Sequence, residues 1–336
     1  MRKGDLGIDL GTATFLVYQK GKGVVIYEPS YVAISKKTGK IIAIGQQAKE
    51  MIGKTPQEIL AVKPMKDGVI AEYSVIEEVM RSFIKRTKPG FGFFKPNMVI
   101  GVPTKITNVE HRAVVEAAMN AGASKVYVVR EPIAAAIGAG IDVTKPQGNM
   151  IVDIGGGTTD IAVISLGGVV VGESLRVAGD SMNEMIIKYV RKQFQMFIGE
   201  SSAEEVKIRI GKAHPNEEDL EMDVKGRDVV TGLPKKVTLN SEDVMRALKE
   251  ILRTLIIGIH GVLERTPPEL AADIMNEGVY LVGGGSKLRG LDRLISEKTG
   301  IETIVISEPE YSVVRGTGEL LDNEELLNAV AAVYGT

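Results

Sequence analysis

The chain has 336 residues, about twice a common domain length, so one large domain or two modest ones with sizeable cores is expected. Its 41 Lys and Arg against 43 Asp and Glu leave a net charge of −2, too balanced for a protein held on nucleic acid mainly by phosphate neutralisation. The lack of Cys excludes disulfides, thiolate zinc sites and cysteine nucleophiles, and the longest uncharged run, 161–172, falls short of the ~20 apolar residues that span a bilayer.

In chain order, the first feature is segment 6–18, two short apolar runs broken at Gly11, the pattern of a β-hairpin. The residues before it hold no apolar signal-peptide core, so a cytoplasmic location is expected. Leu6, Ile8 and Leu10 share one face of the first run and Asp9 lies on the other. A carboxylate therefore stands near the end of a strand that turns through Gly11, Thr12, Ala13 and Thr14. Such a turn can aim backbone N–H groups at an anion, with the Thr hydroxyls as further donors; a plain hairpin turn with a capping Asp has the same pattern. A small subdomain is expected at about 33–66. Helical periodicity covers 108–121, between strand candidates at 98–102 and 125–129. Pro132 suits a first helical turn and favours an extended Glu131, so that carboxylate projects from a strand–helix junction. There it can orient a water, or simply complement a helix N-terminus.

The Gly-rich turn at 138–148, with Pro146, separates a first lobe, 1–147, from a second, 148–319, and segment 320–336 is placed as a possible return to the first lobe. Segment 150–164 repeats the order strand, Asp, apolar residue, Gly, Thr, strand, with Asp153 in the place of Asp9, which reads as an internal duplication. Its turn carries Gly155, Gly156 and Gly157, then Thr158, Thr159 and Asp160. A glycine is ~0.5 to 1 kcal/mol worse than Ala in a regular element, so three together suggest a conformational need and a backbone that approaches a polyphosphate closely; a wide loop would also accept them. Further helices are expected at 182–194, 241–264 and 288–299, and a second small subdomain at about 179–252 with a polar, turn-rich piece at 214–234. Strand 279–282 leads into Gly283, Gly284, Gly285, Ser286 and Lys287, a turn able to meet a planar group or a phosphate, as well as an ordinary βα turn. Alternating strands and helices give the α/β class, and two lobes imply a cleft. Asp9 and Asp153 would repel each other across it unless a cation, expected to be Mg²⁺, sits between them; two structural Asp residues on unrelated turns have the same pattern. Neither G-x-x-x-x-G-K-[ST] nor G-x-G-x-x-G occurs, and His111, His214 and His260 are scattered, so P-loop, Rossmann and Ser-His chemistry find no support.

Asp9-Leu-Gly-Thr12, Glu131-Pro132, Asp153-Ile-Gly-Gly-Gly-Thr-Thr159 and Gly283-Gly-Gly-Ser286 resemble, in order and spacing, the phosphate 1, connect, phosphate 2 and adenosine motifs of the actin, Hsp70 and sugar-kinase superfamily. Tyr27-Glu-Pro-Ser30, Ile52-Gly-Lys-Thr-Pro56, 63–71, Thr231-Gly-Leu-Pro234 and 263–270 are similar to the MreB family of bacterial actins over almost the whole chain. The resemblance implies an actin-like ATPase fold of two duplicated, ribonuclease-H-like lobes around an ATP/ADP cleft, with turnover coupled to head-to-tail and paired filaments. Carried over, Gly11 to Thr14 and Gly155 to Thr159 hold phosphates, Asp9 and Asp153 the waters of Mg²⁺, Glu204, Glu205 and Lys207 ribose and base, and Gly283 to Lys287 the adenosine. Glu131 positions the attacking water, assisted by Thr158 and Asp160. Two positions depart from the family pattern, Arg130 where an acid is frequent and Asp160 where many members carry Glu.

Phe91, Phe93 and Phe94 lie within four residues, in a Gly and Pro loop flanked by Lys85, Arg86, Lys88 and Lys95. Such a loop can fold back on the core or insert into the membrane interface, weakly for one subunit and more firmly when a filament multiplies the contact. The family resemblance favours insertion, hence a peripheral place at the inner face of the cell membrane among the cell-shape and cell-wall synthesis machinery. A plasmid- or organelle-positioning actin without direct membrane binding is the alternative.

Overall fold

Two twisted sheets of matching design organise the chain. The computed structural model describes residues 2, 4–87 and 95–334. In the first sheet, Leu6–Leu10 pairs antiparallel with Thr14–Gln19, which pairs antiparallel with Gly23–Pro29; on the other side Leu6–Leu10 lies parallel to Met98–Val102, and that strand parallel to Val126–Arg130. In the second, Asn149–Ile154, Thr159–Ser165, Gly168–Leu175, Val279–Val282 and Thr303–Val305 follow the same order with the same directions. Even the irregularity recurs: the outer antiparallel pair of each sheet shifts register once, after Val17 and after Val163. The duplication read from Asp9 and Asp153 is thus a duplication of topology. The first sheet gains a sixth strand from the far end of the chain, Ala332–Tyr334, antiparallel to Val126–Arg130.

The strands form where apolar residues alternate or run together. Leu6 and Ile8 are fully buried, and every residue of Asn149–Ile154 and Thr159–Ser165 is buried, as expected for central strands covered on both faces. Helices Glu131–Gly138 and Ser312–Asp322 pack on each other between the sheets. Around them, Val99 and Val129 of the first sheet join Ile151, Ala162 and Val282 of the second in one apolar cluster.

Helix boundaries follow local capping. Thr107 and Glu110 form a capping box before Asn108–Ala121, and Gly122 ends it in a left-handed conformation. Asn240 and Asp243 do the same before Ser241–Arg265, which buries Val244, Leu248, Leu252, Leu255, Ile259 and Val262 along one stripe. Three expectations are corrected. The helix read at 182–194 starts earlier, at Gly179, because the amides of Gly179 and Asp180 find acceptors in the turn after Asn149–Ile154. The helix read at 288–299 starts only at Leu291, after a 3₁₀ turn Gly284–Lys287 and Gly290 at φ 72°. The polar piece at 214–234 contains a strand, Glu221–Asp228, paired with Pro234–Asn240; its charged residues alternate outward while Val224 is buried, so net polarity masked a period of two.

Smaller elements sit above each sheet. On the first lobe, Val32–Ser35, Ile41–Ile44 and Ile59–Val62 form a three-stranded sheet beside helix Gln46–Met51. On the second, helices Gly179–Phe194 and Glu200–Ile210 pack with the sheet holding Glu221–Asp228. Among the described residues no helix is long and apolar enough to cross a membrane.

Candidate nucleotide cleft

A cleft of about 410 Å³ opens between the lobes. Its floor is made by the two hairpin turns that the sequence singled out, and they face each other. A Cβ placed on Gly156 would lie 2.5 Å from the Cβ of Ala13, and one on Gly157 would lie 2.5 Å from Thr12 Oγ1. None of Gly155, Gly156 and Gly157 has a positive φ, so the need for glycine here is steric approach and not an unusual backbone conformation.

Each turn is braced from behind. Ser30, fully buried, donates from its hydroxyl to the Gly11 carbonyl at 2.5 Å and from its N–H to the Ala13 carbonyl at 2.9 Å. The second turn closes with Gly155 N–H on the Thr158 carbonyl, while Gly179 N–H and Asp180 N–H bind the carbonyls of Gly155 and Gly156. With their carbonyls turned back into the protein, the turns leave their cleft side to N–H groups and hydroxyls, the arrangement that receives anions. A third hairpin joins them: Gly68 N–H donates to Thr12 Oγ1 at 3.1 Å, in a tight turn with Asp67 at φ 50°.

Four carboxylates gather below the turns. Asp9 keeps part of its surface open to the cleft, Asp153 and Asp160 are buried, and Glu131 begins helix Glu131–Gly138. The extended residue at that junction is Arg130, one position before the expected Glu131; Glu131 already belongs to the helix. Burial pushes Asp9 up to about 7. Asp153 rises to about 8, by burial first and then by the charges of Asp160 and Asp9. Glu131 stands well above the usual carboxylate range, again by burial and then by Asp160, Asp9 and Asp153. Asp160 is raised by burial against the hydrogen bonds it accepts, one of them from Thr104 N–H at 2.7 Å across the lobes. Crowded acids of this kind hold protons near neutral pH unless a cation joins them.

At the other end of the cleft stand Glu204 and Lys207 of helix Glu200–Ile210, with Lys207 Nζ 2.8 Å from the Gly179 carbonyl and its pKa lowered by burial. Gly283, Gly284, Gly285 and Lys287 line the same end. Of the three glycines, Gly283 and Gly285 are pressed against the end of strand Asn149–Ile154, where a Cβ would come within 2.3 Å of Asp153 Oδ1 and 2.4 Å of Ile154 Cγ2; only Gly284 faces open space.

The structure therefore brings Asp9, Gly11, Thr12, Ala13, Thr14, Glu131, Asp153, Gly155, Gly156, Gly157, Thr158, Asp160, Glu204, Lys207, Gly283, Gly284, Gly285 and Lys287 to one cleft. Three predicted residues do not line it. Thr159 turns inward and donates to the Val177 carbonyl at 2.7 Å, Ser286 is buried on the Gly283 carbonyl, and Glu205 lies on the outer face paired with Arg209. Phe91, Phe93 and Phe94 lie outside the described residues. Ser30, Gly68 and Asp180 were missed as site residues. Asp67-Gly68 between Lys66 and Val69 is a two-residue hairpin signal that could have found one of them; Ser30 and Asp180 carry no local signal.

The profile of the MreB/Mbl protein family matches residues 3–329. The cell shape-determining protein Mbl of Bacillus subtilis (strain 168) is 46% identical over 96% of this chain and 97% of its own. The cell shape-determining protein MreB of Escherichia coli (strain K12) is 47% identical over 96% of this chain and 94% of its own. Among solved structures, MreB 5 of Spiroplasma citri bound to AMPPNP superposes with a TM-score of 0.91 at 36% identity, covering 97% of this chain and 98% of that one, and its ADP-bound form superposes with the same score. A MamK double helical filament, 23% identical and covering 95% of this chain and 98% of that one, shares the fold at a TM-score of 0.80.

Proposed function

The chain belongs to the MreB/Mbl family of actin-like proteins, and from that premise we propose that it is an ATPase whose ATP-bound form assembles into filaments at the inner face of the cell membrane and directs cell shape. The observation that carries this reading is the pair of opposed, braced turns above four gathered carboxylates, two of them buried. A polyphosphate lying along the cleft side of the two turns would meet N–H groups and Thr hydroxyls from both lobes at once. The AMPPNP and ADP bound to the Spiroplasma citri relative support the same ligand class here.

Gly11 to Thr14 and Gly155 to Thr158 would hold the phosphates, with Glu204, Lys207 and Gly284 toward the nucleoside. Among the described residues no three acids or histidines are grouped to ligate a metal directly, yet Asp9 and Asp153 fit a Mg²⁺ that keeps its waters and binds through phosphate oxygens. The raised pKa values of both support that fit, because a divalent charge would draw their protons off. Once bound, Mg²⁺ would neutralise phosphate charge. Glu131, at the start of its helix and lining the cleft, would orient the attacking water and act as its general base once ionised. Asp160, fixed by bonds from Thr104 N–H and the Ser174 hydroxyl, would steady the Thr158 end of the turn from below.

Phe91, Phe93 and Phe94 would supply the lipid contact, with the filament multiplying a weak single insertion. Electron microscopy of the protein with Mg-ATP on an anionic lipid monolayer tests the whole reading: filaments lying on the lipid are expected. Filaments that ignore lipid would point to a positioning actin without membrane binding, and ATP binding without polymer would remove the cytoskeletal role. For the chemistry, Glu131→Ala should keep ATP binding and lose about 10² to 10⁴ in phosphate release; release at the wild-type rate would take Glu131 out of the mechanism.

A further inference from the structure

The mouth of the cleft is crossed by two lysines to which the reading above gives no role. Lys49 stands on helix Gln46–Met51 and Lys63 just after strand Ile59–Val62, both in the small elements above the first sheet. Their partners belong to the second lobe. Lys63 Nζ lies 2.8 Å from Asp180 Oδ2 and 2.7 Å from Glu200 Oε1, and Lys49 Nζ lies 2.6 Å from Glu204 Oε2. The Tyr31 hydroxyl also donates to Glu200 Oε1, at 3.3 Å, and the Lys63 ammonium stands 5.2 Å above the Tyr31 ring. Asp180 and Glu204 both line the cleft, so each faces the ligand space while a lysine of the opposite lobe grips it.

We propose that Lys49 and Lys63 are positioning residues that hold Glu204 and Asp180 from across the cleft and so keep the lobes closed over a bound nucleotide. The inference rests on the nucleotide-binding reading. Three observations support it. The contacts form a network and not an isolated pair, the condition under which ion pairs near the surface stabilise measurably, and their carboxylate partners remain partly exposed, so salt still reaches them. Both ends of the network are anchored in the phosphate turns: Asp180 N–H binds the Gly156 carbonyl, and Ser30, next to Tyr31, binds the carbonyls of Gly11 and Ala13. A shift of either turn is therefore transmitted to the lysines through two or three bonded contacts. Finally, no other ion pair between side chains of the described residues ties the small elements above the first sheet to the second lobe, so opening this mouth requires these pairs to part.

The test measures how fast a fluorescent N-methylanthraniloyl ATP, bound with Mg²⁺, leaves the full chain when chased with unlabelled ATP at low and high salt. Wild type should release it faster at high salt. Lys63→Met should release it about tenfold faster at low salt and lose most of the salt dependence, Lys49→Met should show a smaller change of the same sign, and Lys63→Arg should restore slow release. A purely packing role for Lys63 would leave the salt dependence untouched. Wild-type release and wild-type salt dependence in both Met variants would overturn the inference while leaving nucleotide binding intact. If wild type itself binds no probe, the nucleotide reading fails, and this inference with it.

Discussion

The two turns that face each other across the cleft share one hairpin plan and differ in residues, Gly11-Thr12-Ala13 on one side and Gly155-Gly156-Gly157 on the other. The difference teaches which side yields. Two backbones meet so closely that only one can carry side chains; Thr12 and Ala13 fill the space, and the glycines opposite leave it. The supports differ as well. A buried serine hydroxyl holds the first turn, whereas the first amides of a helix hold the second. The same arrangement, carbonyls tied back away from the cleft, is thus reached once by a side chain and once by secondary structure.

The largest expected effect comes from filling the space on the glycine side. Gly156→Val or Gly157→Val drives a Cβ into the opposing turn, and for Gly156 the nearest atoms include the backbone nitrogen of Ala13 at 2.8 Å, which no rotamer change relieves. Overpacking of this kind costs about 1 to 3 kcal/mol or more, and the lobes can relieve it only by parting, so ATP binding measured by titration calorimetry should be lost. Near-normal affinity in either variant would show that the turns do not need their observed separation.

The next effect distinguishes the acids beneath the two turns. Asp9 and Asp153 have folded pKa values of about 7 and about 8, both above the ~3.9 of an unfolded aspartate. The folded chain therefore keeps protons that the unfolded chain has released, and the stability of the nucleotide-free protein should fall as pH rises from about 4 to about 8. Asp153→Asn should flatten more of that slope than Asp9→Asn, and Mg-ATP should flatten it in wild type. Thermal melts across this range read all three, and a flat nucleotide-free wild-type profile would mean that the acids are not held protonated.

The smallest effect isolates the brace of the first turn. Ser30→Ala removes one buried hydrogen bond and leaves the Gly11 carbonyl short of a partner, a loss of about 1 kcal/mol. Hydrogen exchange should quicken at the amides of residues 11–14 and remain unchanged at 155–158. Equal quickening in both turns would show that they move as one unit.

Much of this site is legible along the chain because its parts are local. Asp9 and Asp153 precede turns within their own hairpins, Glu131 starts a helix marked by Pro132, and the order of these motifs suffices to indicate the superfamily. The misreadings share a cause. Thr159 and Ser286 sit inside motifs whose neighbours face the cleft, yet strand alternation turns one inward and a 3₁₀ turn buries the other. Glu205 follows a cleft-facing Glu204, and the helical step of about 100° per residue carries it to the outer face. Glu221–Asp228 passed for a loop because a strand with one exposed face can be as polar as a turn.

By itself the sequence determined the α/β class, the duplicated hairpins, the family and most residues of the cleft, since hydrophobic period, turn chemistry and motif order are properties of contiguous chain. Only the tertiary structure decided which glycines are required by contact, which of several adjacent polar residues faces the cleft, and that Ser30, Gly68, Asp180, Lys49 and Lys63 brace it or line its mouth. Those five act on partners at least 17 positions away, Ser30 and Gly68 within the first lobe and Lys49, Lys63 and Asp180 across the cleft, and no local pattern encodes a contact of that kind.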